Sequence, residues 1–74
     1  MLGEREAVVT AVRRFDIHGA GFVDVALAFG DGTTSEARLG AESAPDDLAT
    51  GDEVLASMAM NMIVAVRRAG DQVD

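Results

Sequence analysis

Seventy-four residues carrying 13 acidic and 6 basic side chains, no cysteine and one histidine give a net charge of −7, in a chain long enough for one domain with a thin core. That composition excludes a disulfide, a cysteine-held metal, a thiol nucleophile and an all-histidine zinc cage within one chain. Thirteen carboxylates diluting six arginines, with three phenylalanines as the whole aromatic supply, argue against nucleic acid and against an anionic membrane surface as partners.

The first periodic segment, Ala7 to Phe15, is dense in valine and threonine and reads as a strand. Two glycines in Asp16-Ile17-His18-Gly19-Ala20-Gly21 break it. The next run, Phe22 to Phe29, alternates, and Asp24 marks its wet parity, so Val23, Val25, Leu27 and Phe29 are expected in the core. Gly30-Asp31-Gly32 predicts a hairpin of the Asp-Gly kind, in which both central residues need positive φ. Thr33 to Leu39 returns as a strand with one wet face.

Gly40 to Thr50 changes character. Ala44-Pro45-Asp46-Asp47-Leu48 predicts one short helical turn, with proline at its first position and acidic residues at the positive end of its dipole. Leu48 is the expected apolar plug. Val54 to Arg68 is the longest apolar stretch; its valines and isoleucine favour two strands, or one long bent strand, with a weak break near Asn61. Met58, Met60 and Met62 share one parity there, either as core or as an adaptable contact surface. The tail from Gly70 to Asp74 is expected to fray.

These elements predict an all-β domain over residues 1–74, ordered over about 5–69: a small five-stranded OB-like barrel with one short helical turn, closure being the way such a small sheet hides its edges. No apolar run reaches the roughly 18 residues of a membrane span, and Met1-Leu2-Gly3-Glu4-Arg5-Glu6 lacks a signal-peptide core, so a cytoplasmic location is expected. Abundant alanine, valine and glycine without lysine suit a GC-rich bacterial gene.

Phe22-Val23-Asp24-Val25-Ala26-Leu27-Ala28-Phe29-Gly30-Asp31-Gly32, then Ala37-Arg38-Leu39, then Pro45 to Val54 with its Asp-Leu and Gly-Asp-Glu-Val lead-in resembles the OB-fold accessory domain found with acyl-CoA-handling proteins. The resemblance covers roughly Ala7 to Val66. It implies a non-catalytic partner of a larger acyl-CoA- or acyl-transfer-type, thiolase-like enzyme. Members usually carry a zinc ribbon before the barrel, which this chain lacks. A second stretch, Glu42-Ser43-Ala44, Leu48, Gly51 to Val54, Ala56 and Met62 to Val66, is similar to the oxyanion-binding small barrels of transporter-associated proteins. That likeness implies a small-ligand or oxyanion-binding homo-oligomer, although the lysine of those sites is missing here.

No enzyme and no cofactor is expected. Ser35, Ser43 and Ser57 lie in no nucleophile elbow, and His18 cannot be tied to any of them. Asp46, Asp47, Asp52 and Glu53 lack the offsets of a calcium loop, and the two glycine clusters precede strands where a phosphate loop needs a helix. Three sets of residues could still make contacts. Met58, Met60, Asn61, Met62 and Ile63 form a partner interface, whether for a protein partner or a second copy. His18, Gly19 and Phe22 form a ligand-contact loop. Arg13, Arg14, Arg67 and Arg68 form an anion contact if the first and last strands are neighbours.

Overall fold

A computed structural model describes residues 2–70. It is all-β, as the alternation predicts. Strands β1 (Leu2–Ile17), β2 (Ala20–Phe29), β3 (Thr34–Gly40), β4 (Glu53–Ala59) and β5 (Met62–Arg68) form one sheet, and a 3₁₀ turn covers Ala41–Ser43. The strand order is β3-β2-β1-β4-β5, with every neighbouring pair antiparallel. The sheet curls until β3 and β5 touch, yet among the described residues no backbone ladder joins them. The fold is thus one curled five-stranded antiparallel sheet whose edge strands β3 and β5 approach each other. The expected tail beyond Gly70 lies outside the described residues.

The turns fall where the sequence breaks, but with different chemistry. His18 and Gly19 both have positive φ, 51° and 84°, and Ile17 faces Ala20. This is a two-residue hairpin of the kind expected at Asp31-Gly32; histidine tolerates the left-handed region better than most residues. At the Gly30-Asp31-Gly32 turn only Gly32 has positive φ. The Phe29 N–H donates to the Thr33 carbonyl at 2.8 Å and the Gly32 N–H to the Phe29 carbonyl at 3.0 Å, giving a three-residue loop with a glycine bulge. The Asp31 carboxylate accepts from the Thr33 N–H and hydroxyl at 3.0 and 2.6 Å, which holds its backbone out of the Asp-Gly geometry. The break near Asn61 is a second two-residue hairpin, Met60 and Asn61 at φ 52° and 67°.

The short helical turn lies earlier than predicted, at Ala41–Ser43. Pro45 to Leu48 makes a single turn, the Leu48 N–H donating to the Pro45 carbonyl at 3.3 Å. Leu48 is nevertheless buried, as expected of the plug. The loop end is stitched to β1 by two backbone bonds: Gly51 N–H to the Val9 carbonyl at 2.8 Å and Val9 N–H to the Asp52 carbonyl at 2.9 Å.

Two bulges reset the side-chain parity. The register between β1 and β2 shifts between Val9 and Ala11, so Ala7 and Val9 face the core before the bulge and Val12 after it. The register of β4 and β5 shifts between Ser57 and Met58, and β5 consequently buries Ile63 and Val66, three residues apart. The core is completed by Val23, Val25, Leu27 and Phe29 of β2, Leu39 of β3, and Val54 and Ala56 of β4. Among the described residues no polar or charged side chain is buried, and no helix is long and apolar enough to cross a membrane.

Candidate interaction surface

The β4–β5 hairpin has no charged residue between Glu53 and Arg67. The structure divides its expected contact segment in two. Ile63 is a core residue at 6% exposure, and Met58 packs against the core. Met60 and Met62 stand 89% and 66% exposed at the tip, with Asn61 between them and Val64 also on the surface. The methionine parity therefore does not form one strand face. The two-residue turn at Met60-Asn61 pairs Ile63 with Met58 and Met62 with Ala59, so Met62 and Val64 flank the buried Ile63 on the outside and Met60 stands in the turn itself, leaving an apolar tip that the core does not need.

The residues of the expected ligand loop sit at the far end of β1 and β2. His18 is exposed at the hairpin turn, and Phe22 is half-buried beside Phe15 of the facing strand, ring centres 5.9 Å apart. The Arg38 guanidinium lies 4.6 Å from the Phe15 ring centre and that of Arg13 lies 5.2 Å away. Cation and ring attract at these separations. Phe15 and Arg38 are absent from the contact sets drawn from the sequence. The two-residue turn at His18-Gly19 was the available signal, because it places Phe15 directly opposite Phe22 and Arg13 opposite Asp24.

The condition set for the anion contact of the four arginines, that the first and last strands be neighbours, is not met. Strand β4 lies between β1 and β5. Arg13 approaches Asp24 at 3.6 Å, while Arg38 grips the same carboxylate twice, at 2.9 and 3.3 Å. Arg14 donates to the Pro45 carbonyl at 2.7 Å. Arg67 holds Glu4 at 2.9 and 3.1 Å. Arg68 bridges Asp47 and Asp52 at 3.0 and 2.7 Å, tying the loop before β4 to β5. A groove of about 530 Å³ runs over the outer face of β1, β2 and β3, floored by Ala11 and Ala26. Its charged walls are Arg13, Arg38, Asp24 and Glu36, two of each sign.

These pairs hold five carboxyls below their ordinary range. The Arg67 hydrogen bond lowers Glu4, the Arg38 bond lowers Asp24, and Arg68 lowers both Asp47 and Asp52. For Asp31 the Thr33 hydroxyl is the main cause, with Arg5 adding to it. A carboxyl whose folded pKa is depressed lends stability above its unfolded value and loses it as the pH falls through the folded one. The ordinary values here are 3.8 for aspartate and 4.5 for glutamate. Protonation also relieves the self-repulsion of a −7 chain. Because five of the carboxylates are paired, the melting temperature is expected to fall between about pH 5 and about pH 3. A melting temperature that climbs steadily over that range would mean that repulsion outweighs pairing.

No family model, curated protein or solved structure matches the chain.

Proposed function

We propose that this chain is a non-catalytic interaction module that docks on a larger acyl-CoA- or acyl-transfer-type enzyme, with the tip of the β4–β5 hairpin as its contact. The observation that carries the docking is the exposure of Met60 and Met62 on a hairpin whose core side is already complete. Methionine is unbranched and polarizable, so it repacks against an irregular apolar pocket at low cost. The three exposed side chains Met60, Met62 and Val64 make a patch well short of the roughly 800 Å² per partner of a standard interface. Such a patch suits a knob seated in a partner's pocket, with polar surface around it, better than a flat dimer face. The enzyme class rests on the likeness of Phe22–Gly32, Ala37–Leu39 and Pro45–Val54 to acyl-CoA-associated accessory barrels.

The test is co-purification with thiolase-like enzymes of the source cell, followed by size-exclusion chromatography. The wild type is expected to co-elute with one of these enzymes, and the double variant M60D/M62D, still folded by circular dichroism, to elute alone. Co-elution of the double variant at wild-type level would remove the hairpin tip from the reading. Failure of the wild type to bind any acyl-transfer enzyme would remove the partner class.

A further inference from the structure

The distal half of β1 has a free edge. The two-residue turn makes Ile17 and Ala20 a hydrogen-bonded pair, and the alternation of antiparallel ladders then makes Phe15–Phe22 and Arg13–Asp24 hydrogen-bonded pairs as well. The N–H and C=O groups of Val12, Arg14 and Asp16 therefore point away from β2. On that side β4 pairs only with Leu2 to Val8, and the loop before β4 makes backbone bonds only to Val9, meeting Arg14 through its side chain, which donates to the Pro45 carbonyl at 2.7 Å. Among the described residues no backbone bond meets the outward groups of Val12, Arg14 and Asp16. Arg14, Asp16 and Ile17 are exposed. An edge of this kind is a template for another strand.

We infer that a second copy of this chain occupies that edge, β1 pairing with β1 in antiparallel fashion about a two-fold axis through Phe15. The sequence around the axis is self-complementary. In this register Arg14, one of whose guanidinium nitrogens donates to the Pro45 carbonyl and whose others remain for a carboxylate, faces the partner's Asp16, and Asp16 faces the partner's Arg14, one opposite-charge pair on each side of the axis. Arg14 and Asp16 are the residues whose backbone groups point outward, so both positions form hydrogen-bonded pairs and the free groups of each edge are satisfied. On the outer face Phe15 meets the partner's Phe15 at a non-hydrogen-bonded position, where Cα atoms come within about 4.5 Å. Each Phe15 already stacks on its own Phe22, so four rings form one row across the joint sheet. Ile17, 42% exposed, is covered by the aliphatic stem of the partner's Arg13. A two-fold contact of this kind is isologous and closes at two copies. It leaves the methionine tip of β4–β5 free and does not depend on the function proposed above.

Sedimentation equilibrium of the purified chain tests the register. The wild type is expected as a dimer at high micromolar concentration. Arg14→Asp and Asp16→Arg each set like charges opposite one another at two symmetric places, and each is expected to weaken the dimer roughly tenfold or more. The double variant R14D/D16R restores opposite pairs and is expected to restore the dimer. Asp16→Pro is a second probe. It removes an N–H that no ladder within the chain uses, so the fold tolerates it at an edge while the joint ladder does not. A monomeric wild type at high micromolar concentration overturns the inference. So does a dimer that survives both charge reversals and the proline, and a double variant that stays monomeric overturns the register.

Discussion

Ile63→Asp is expected to abolish folding, while Met60→Asp, three residues away on the same hairpin, leaves the protein folded. A domain of 74 residues has about 4–11 kcal/mol of stability, at roughly 0.05–0.15 kcal/mol per residue. Ile63 is 6% exposed and packs in the core. Replacing it sacrifices about 2–5 kcal/mol of apolar packing and leaves a carboxylate with no buried partner, which costs several kcal/mol more or drives the group to protonate. Met60 occupies a left-handed turn position in solvent, where aspartate is among the favoured residues, so its change should stay within about 0.5 kcal/mol and can stabilise. Thermal melts followed by circular dichroism separate the two. A cooperative transition in the Ile63 variant, or its loss in the Met60 variant, would contradict the division of the hairpin into a core side and a contact side.

Leu27→Ala is the second large effect. Leu27 is fully buried in the second half of β2, with Val23 and Val25 on the same face of the strand. Truncation costs about 2–5 kcal/mol, the value within that range depending on how far the neighbours collapse into the space. For a domain of this size that is a fall in Tm of about ten degrees or more. Val64→Ala, on the exposed side of β5, is the control and should change Tm little. Equal shifts in the two variants would mean that the core does not lie between the curled strands as described.

The buried face of β2 was legible, because Asp24 alone fixes its wet parity and no bulge interrupts it: Val23, Val25, Leu27 and Phe29 are buried as the alternation requires, though the strand starts at Ala20, two residues earlier than expected. Where parity is interrupted, sequence alternation loses its meaning. The bulge after Val9 and the one in the β4–β5 pairing each move the buried face by one residue. The methionines at 58, 60 and 62 read as one face and are not because the Met60-Asn61 turn lies between them, pairing Met58 with Ile63 and Met62 with Ala59. The turn chemistry was legible in place but not in type. Asp-Gly is the stronger signal in isolation, yet the Asp31 carboxylate captures Thr33 and imposes a different loop, while His18-Gly19 takes the tight hairpin form. The proline that suggested a helical turn only starts a bend at Pro45. Of the contact sets, composition marked the methionine segment but left core and surface open, and the structure puts Met58 and Ile63 on the core side and Met60 and Met62 in solvent. The Phe15–Phe22–Arg38 cluster was not legible, since it depends on a cross-strand register that only the correct turn supplies.

The pairing of β1 with two different strands has a consequence for the order in which the molecule assembles. The meander of β1, β2 and β3 and the hairpin of β4 and β5 each join strands adjacent along the chain, so each closes through short loops and is entropically cheap to start. The one backbone ladder between the two units is Leu2 to Val8 against Glu53 to Ala59, which joins the first strand to the fourth. That contact carries the highest sequence separation of the ladders and is the one that topology makes slow. The first few residues of β1 thus act as a late clasp. Until they dock, the two units are tethered only through the connection from Ala41 to Asp52, with the inner edge of β4 bare.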